Sequence, residues 1–159
     1  MKFAGAFLLL VSAVFFSYEK CSKLQRRLII IEELLRFIER VRFEICCYLK
    51  PIADIADEFS SEILSETGFL ADVRKYGAHK AYINLRPLLM LQEKENKTLD
   101  NFFSRIGTGY AEEEIKLIDR TVSQLSDFLL SEREKLPKQK KLNLTLSCAA
   151  SLAVVILLI

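Results

Sequence analysis

The sequence is poorest in the residues and patterns that carry chemistry. It has a single histidine, His79, next to Lys80 on a predicted short helix, where a packing or surface role is the ordinary one. No Gly-x-x-x-x-Gly-Lys-Ser/Thr, Gly-x-Gly-x-x-Gly or Gly-x-Ser-x-Gly pattern occurs, which excludes a readable phosphate loop, dinucleotide turn or nucleophile elbow. Gly107-Thr108-Gly109 reads as a turn between helices and lacks the strand and lysine of a phosphate loop. The four cysteines, Cys21, Cys46, Cys47 and Cys148, form no Cys-x-x-Cys pair, so neither a zinc knuckle nor a thioredoxin-like motif is present. That usage fits free thiols in a reducing compartment. The formal net charge of +2 provides no broad basic field, which argues against a nucleic-acid partner. Asp54, Asp57 and Glu58, like Glu112, Glu113 and Glu114, read as solvated or helix-capping carboxylates. With no nucleophile, base and orienting partner assembled, the expectation is a protein that is not an enzyme and holds no cofactor or metal.

What the sequence does have is two apolar ends around a polar middle. Leu142 to Ile159 (LNLTLSCAASLAVVILLI) carries no charge and makes a rod of roughly 27 Å as a helix, close to the hydrocarbon thickness of a bilayer. Phe3 to Tyr18 (FAGAFLLLVSAVFFSY) is also uncharged and spans about 24 Å. The division that follows is an N-terminal transmembrane segment over 1–19, a helical domain over 20–141 and a C-terminal transmembrane helix over 142–159. Val11-Ser12-Ala13 would also suit a cleaved signal peptide, but the apolar run continues through Val14, Phe15 and Phe16, which favours a retained anchor. The alternative kept beside it is an envelope-facing helical interaction domain with a cleaved signal peptide and one C-terminal anchor.

The middle reads as helix almost throughout. Leu24, Leu28, Ile31, Leu35, Ile38, Val41 and Ile45 recur in steps of three and four, with Arg26, Glu33, Arg36, Arg40 and Glu44 on the other side. Lys50-Pro51 ends that helix, and Pro51 suits the start of the next, because its missing N–H is no loss there. This second helix runs through Ile52, Ile55, Ala56, Phe59 and Ile63 to a left-handed cap at Gly68. A third covers Phe69 to Tyr76 and a fourth Ala78 to Leu85, with Pro87 kinking or restarting it. Gln92 to Lys97 reads as a solvated connector. Thr98 then caps a fifth helix, which buries Leu99, Phe102, Phe103 and Ile106 and closes at Gly107. The last begins at Glu112, Glu113 and Glu114, whose charge meets the positive end of the helix dipole. It carries Ile115, Ile118, Val122, Leu125, Leu129 and Leu136 to Pro137. The fold class is therefore all-α, a six-helix bundle-like domain between two transmembrane helices. Antiparallel packing of the first and last long helices would return both ends to one membrane surface.

The order of these features resembles the stage III sporulation protein AB family. Leu34 to Ile55 (LLRFIERVRFEICCYLKPIADI) resembles that family's long helix, its glutamate-hydrophobic step at Glu44-Ile45 and its proline-led second helix at Pro51. Ala81-Tyr82 falls where the family has alanine followed by tryptophan, and Leu99 to Gly109 (LDNFFSRIGTG) resembles the segment ending in Leu-Gly, with Gly107 at the glycine. The chain departs from the pattern at Tyr82, at Ile106 in place of leucine, and at Gly109 near the usual aspartate. It departs again in the last span, where Ser147, Cys148, Ala149, Ala150 and Ser151 stand in for glycines. Such small residues still permit close helix packing. The resemblance implies a domain similar to the cytoplasmic domain of the type II secretion F protein. It also implies a platform or scaffold role in the channel-like complex between mother cell and forespore, needed for spore formation. The implied partners are other subunits of that assembly, including its ATPase, and the membrane; a homo-oligomer is compatible with this reading. The implied location is the mother-cell membrane that engulfs the forespore.

Charge sets the expected topology. Lys20, Lys23, Arg26 and Arg27 follow the first apolar run, and Lys135, Lys138, Lys140 and Lys141 precede the second. Basic residues within about 15–20 residues of a span orient it towards the cytoplasm. Both junctions therefore place the middle domain in the cytoplasm. A Lys94→Cys variant in a chain lacking the native cysteines should react with a membrane-impermeant thiol reagent only after the cells are opened. Labelling in intact cells, with a cytoplasmic control protected, would reverse this topology.

Overall fold

Apolar residues at helical spacing over most of the chain, with few helix breakers among them, give an all-helical structure. A computed structural model describes the backbone of residues 2–48, 50–107 and 109–158. Side chains are described over 22–138 apart from 49, 108 and 111, and at 15, 18, 19, 141, 142, 145, 146 and 149. The described helices are α1 (Lys2–Tyr48), α2 (Ile52–Glu58), α3 (Glu62–Glu66), α4 (Phe69–Tyr76), α5 (Ala78–Leu89), α6 (Glu93–Arg105) and α7 (Ala111–Leu158), and no strand occurs among the described residues. The chain divides into two units, Arg27–Leu130 and a second made of Met1–Arg26 with Ser131–Ile159.

Within Arg27–Leu130, α1 buries Leu28, Ile31, Leu34, Ile38, Val41 and Ile45, a single face generated by steps of three and four. The facing stripe on α7 is Ile118, Thr121, Leu125 and Leu129. Thr121 is tolerated there because its hydroxyl donates to the Leu117 carbonyl at 2.8 Å. The two helices run antiparallel: Arg42 Nε meets Asp119 Oδ1 at 2.5 Å, and the Arg27 guanidinium lies 5.8 Å from the Phe128 ring centroid. The α6 and α7 segments are also antiparallel, joined by a short link and bridged from Thr98 Oγ1 to Gln124 Oε1 at 2.8 Å. His79 to Asp100 and Tyr82 to Asn96 set α5 antiparallel to α6. One end of the unit, the loop end, thus carries Tyr48, Pro51 and Gly107. The opposite end carries Arg27, the α5–α6 turn and Leu130.

A chain of aromatic rings fills the centre. Phe37 of α1 meets Phe59 and Phe69 edge-on at 5.3 and 5.6 Å, Phe69 meets Phe103 at 5.9 Å, and Phe103 meets Phe102 at 4.8 Å. Tyr82 stacks on Phe103 at 5.1 Å with 16° between the ring planes. Such pairs contribute about 0.5–1.5 kcal/mol each beyond the area they bury. The Tyr82 hydroxyl lies 3.1 Å from Asn96 Oδ1 and 3.2 Å from its carbonyl, while Asn96 Nδ2 donates to Leu91 O at 2.9 Å. Burial pushes the Tyr82 phenol up to about 12.

The structure corrects the sequence reading at several points. The expected second helix is two helices, which is why the six expected helices become seven. Phe59 is extended (φ −78°, ψ 119°) and caps α2 through its N–H to Ile55 O, while Ser61 starts α3 by accepting the Leu64 N–H at 3.3 Å. Leu64, not Ile63, is the fully buried residue of α3. Gln92 to Lys97 is no connector: α6 starts at Glu93, with Glu93 and Glu95 in its first turn, so Thr98 is internal. Pro87 lies inside α5, which ends when Met90 turns left-handed at φ 45°. Gly68 adopts the expected left-handed cap, φ 78°. α7 continues through Pro137, an exposed position, where the hydrogen bond that proline forgoes faces water.

The expected spans, 1–19 and 142–159, fall almost wholly on residues whose side chains lie outside those described. Among the described residues no helix is long and apolar enough to cross a membrane.

Phe103→Ala should lower the unfolding free energy of the full chain by about 3–5 kcal/mol, and Tyr82→Phe by about 1 kcal/mol, measured by circular dichroism in denaturant. Because the folded-state pKa of Tyr82 lies above its ordinary value, its contribution is fully present below pH 10. It should be lost as pH rises towards 12 in the wild type, and Tyr82→Phe should lack that part of the alkaline loss.

Candidate docking site at the loop end

The loop end is built from three chain turns. α1 stops at Tyr48, and Pro51 (φ −59°, ψ 142°) stands at the α2 N-cap, where its carbonyl accepts the Asp54 and Ile55 N–H groups at 3.1 and 3.2 Å. α6 stops at Arg105. Ile106 is extended and donates to Phe102 O, and Gly107 takes φ 83°, a conformation in which a side chain is strained. The Tyr110 carbonyl accepts the Glu113 and Glu114 N–H groups, both at 3.0 Å, to begin α7. Glu114 then folds back, and its Oε1 accepts the Gly109 N–H at 2.9 Å.

These turns enclose an open hollow of about 370 Å³ lined by Ile45, Lys50, Pro51, Ile52, Gly107, Gly109 and Glu114. A Cβ at Gly107 would sit 3.5 Å from Ile52 Cδ1, so the backbone angle, not space, is what requires glycine there. Lys50 Nζ meets Glu58 Oε1 at 2.5 Å; that hydrogen bond raises the lysine above its ordinary pKa, helped by the charges of Glu58, Glu44 and Asp54, and holds Glu58 below its own. Glu44 is buried, only 4% exposed, and paired with Arg40 at 2.5 Å. It was expected on the polar side of α1, but it sits at the edge of the apolar face, next before Ile45, where the neighbouring turns cover it. Around the rim, Phe43 and Tyr48 are exposed and touch edge-on at 6.3 Å, Tyr110 is 83% exposed, and Cys46 and Cys47 are exposed free thiols.

Of the four family-like positions, Pro51 and Gly107 line the same hollow and Glu44 lies within electrostatic reach of its lysine. Tyr82 is elsewhere, in the core. The basic residues flanking the two apolar runs are described in part. Lys23 pairs with Glu19 at 2.8 Å and Lys135 with Glu132 at 3.0 Å; Arg26, Lys138 and Lys141 are exposed. Arg27 is half-buried against Phe128, and its Nε is buried without a hydrogen-bond partner. The side chains of Lys20 and Lys140 lie outside those described. The exposed aromatics Phe43, Tyr48 and Tyr110 escaped the sequence reading; the available signal was their position off the inward stripe, beside a helix end.

Chemically, the loop end offers aromatic rim, charged wall and shaped backbone, the means to hold another protein. The carboxylates here are engaged in ion pairs and caps, and no group of His, Cys, Asp and Glu suited to a metal occurs among the described residues.

The family model of stage III sporulation protein AB matches residues 2–159. No match is found among curated proteins or among solved structures.

Glu114→Ala should cost about 1 kcal/mol and speed amide exchange at Gly109, since it removes that group's acceptor. Gly107→Ala should cost a similar amount, about 1 kcal/mol, through backbone strain alone. Unchanged exchange at Gly109 in Glu114→Ala would show that the fold-back bond does not hold the loop.

Proposed function

Because the chain belongs to the stage III sporulation protein AB family, its role is sporulation-related, and we propose that it is a membrane-anchored platform subunit of the channel-like assembly between mother cell and forespore. The apolar runs at 1–19 and 142–159 are its two membrane anchors, and the basic residues flanking them hold the helical unit in the mother-cell cytoplasm. The observation that carries this reading is the antiparallel pairing of α1 with α7. Both chain exits leave the unit at one end, Arg27 and Leu130, so the loop end with Pro51 and Gly107 is left open for a partner. On this reading the hollow and its aromatic rim receive another subunit of the assembly, its ATPase being the cytoplasmic candidate. Tyr48 and Tyr110 are suited to that task, since exposed aromatics are enriched among the residues that dominate interface energetics.

A photo-crosslinking residue placed at Tyr110 in the full chain should capture the ATPase in sporulating cells, and one placed at Asn84 on the outer side of α5 should not. A clean deletion should block spore formation at engulfment and leave vegetative growth intact. Normal spore yield would remove the reading. Capture from position 84 and not from 110 would move the docking surface away from the loop end.

A further inference from the structure

The face of the Arg27–Leu130 unit formed by α6 and α7 gathers charge of one sign. The two helices run antiparallel, with Thr98 Oγ1 meeting Gln124 Oε1 at 2.8 Å across the seam. At this bridge lies an open groove of about 320 Å³, edged by Lys94 and Lys97 from α6 and by Arg120 from α7. No acidic residue lines it, and half-buried Leu117 supplies an apolar patch.

The three cations are not equally engaged. Lys97 meets Glu93 at 2.6 Å, but the two side chains are 75% and 81% exposed, so opening that pair costs little. Among the described residues no carboxylate pairs with Lys94 or Arg120. Asp100, also on α6, is turned to His79 of α5 at 3.3 Å, and Asp127 is exposed outside the lining. Like charges collected around one groove repel one another, and an anionic occupant offsets that repulsion.

The neutral groups narrow the occupant. The Asn101 side chain makes no hydrogen bond among the described residues, and Gln124 engages its carbonyl oxygen with Thr98, which leaves its amide N–H groups to donate elsewhere. Such donors suit main-chain carbonyls, which an extended peptide exposes and a helix keeps for itself. The stretch from Lys94 to Asn101 rises about 10 Å, the length of about three residues of extended chain. Carboxylates at alternate positions of such a chain fall on one side, about 7 Å apart. No aromatic residue lines the groove, so stacked bases would find no platform there.

We infer that this groove binds an extended acidic peptide segment of a partner protein. Its carboxylates meet Lys94, Lys97 and Arg120, its main chain meets Asn101 and Gln124, and an aliphatic side chain rests on Leu117. The groove shares no lining residue with the loop-end hollow, and the inference does not rest on the platform reading.

The test titrates the full chain, in a neutral detergent, into a fluorescein-labelled peptide with glutamate at alternate positions and leucine between them. Anisotropy should rise to saturation, and the same peptide with glutamine in place of glutamate should bind about tenfold more weakly or worse. Lys94→Glu with Arg120→Glu should weaken binding of the acidic peptide about tenfold or more while the circular dichroism stays helical. Lys138→Glu with Lys141→Glu, a reversal of exposed cations outside the groove, should leave binding unchanged. Asn101→Ala, which removes no charge, should weaken it about threefold. Equal binding of the glutamine peptide, or equal loss from the two charge reversals, overturns the inference. Inorganic phosphate that displaces the peptide at equal concentration would make the groove a general anion site, and a labelled single-stranded oligonucleotide that binds more tightly would assign it to nucleic acid. Either result also overturns it.

Discussion

The ring contacts of Phe103 are what the rest of the unit depends on. It touches Phe69, Phe102 and Tyr82 at once, and Phe69 passes the contact to Phe37 and so to α1. Helices as short as α2, α3 and α4 have no stability of their own, since nucleating a helix costs more than a few turns return. They persist because each presents a large side chain to this cluster or to its edge: Ile55 from α2, Leu64 from α3, Phe69 and Leu70 from α4. The break between α2 and α3 has the same cause. Phe59 leaves the helical conformation and its ring meets Phe37, and Ser61 supplies the oxygen that lets a new helix start.

The long helices carry a different task. Their pairing needs only one stripe each, and the polar contacts beside the stripe, such as Arg42 with Asp119, are exposed and contribute little to stability. What those contacts do fix is direction. Antiparallel order gives the unit two unlike ends, one formed by turns and one by chain exits. The loop end is polar, ion-paired and rimmed with aromatics. The exit end is edged with aliphatics. That polarity follows from helix order alone.

Glu44 and Glu114 show how the loop end is kept in shape. Both carboxylates are mostly removed from water, and both are engaged, Glu44 with Arg40 and Glu114 with the Gly109 N–H. A buried charge left without a partner would be costly. Their pairing therefore restricts the turns to geometries that keep those bonds. Gly107 supplies a backbone angle that a side chain would strain.

The amino-acid pattern alone determined that the chain is helical, that Leu28, Ile31, Ile38, Val41 and Ile45 of α1 and Ile118, Leu125 and Leu129 of α7 turn inward, and that Gly68 and Pro51 mark helix boundaries, whereas the expected Leu35 and Val122 are half-buried and Leu34 and Thr121 are buried beside them. These depend on local spacing and backbone sterics, which a sequence displays directly. The inward positions Leu99, Phe102 and Phe103 were equally legible, because three apolar residues of one short helix leave little choice of face. Only the tertiary structure decided that Gln92 to Lys97 is helical, that Glu44 is buried, and that Pro51 and Gly107 share one hollow. Glu93 to Lys97 is polar on every side, so its periodicity is silent; its helix is fixed by Tyr82 reaching Asn96 across from α5. Glu44 reads as solvent-facing because its charge says so, and its burial arises from turns far away in sequence. Likewise Met90 takes its left-handed angle because Leu89 and Leu91 must both be buried around a tight turn, a demand made by the core and written nowhere in the local sequence.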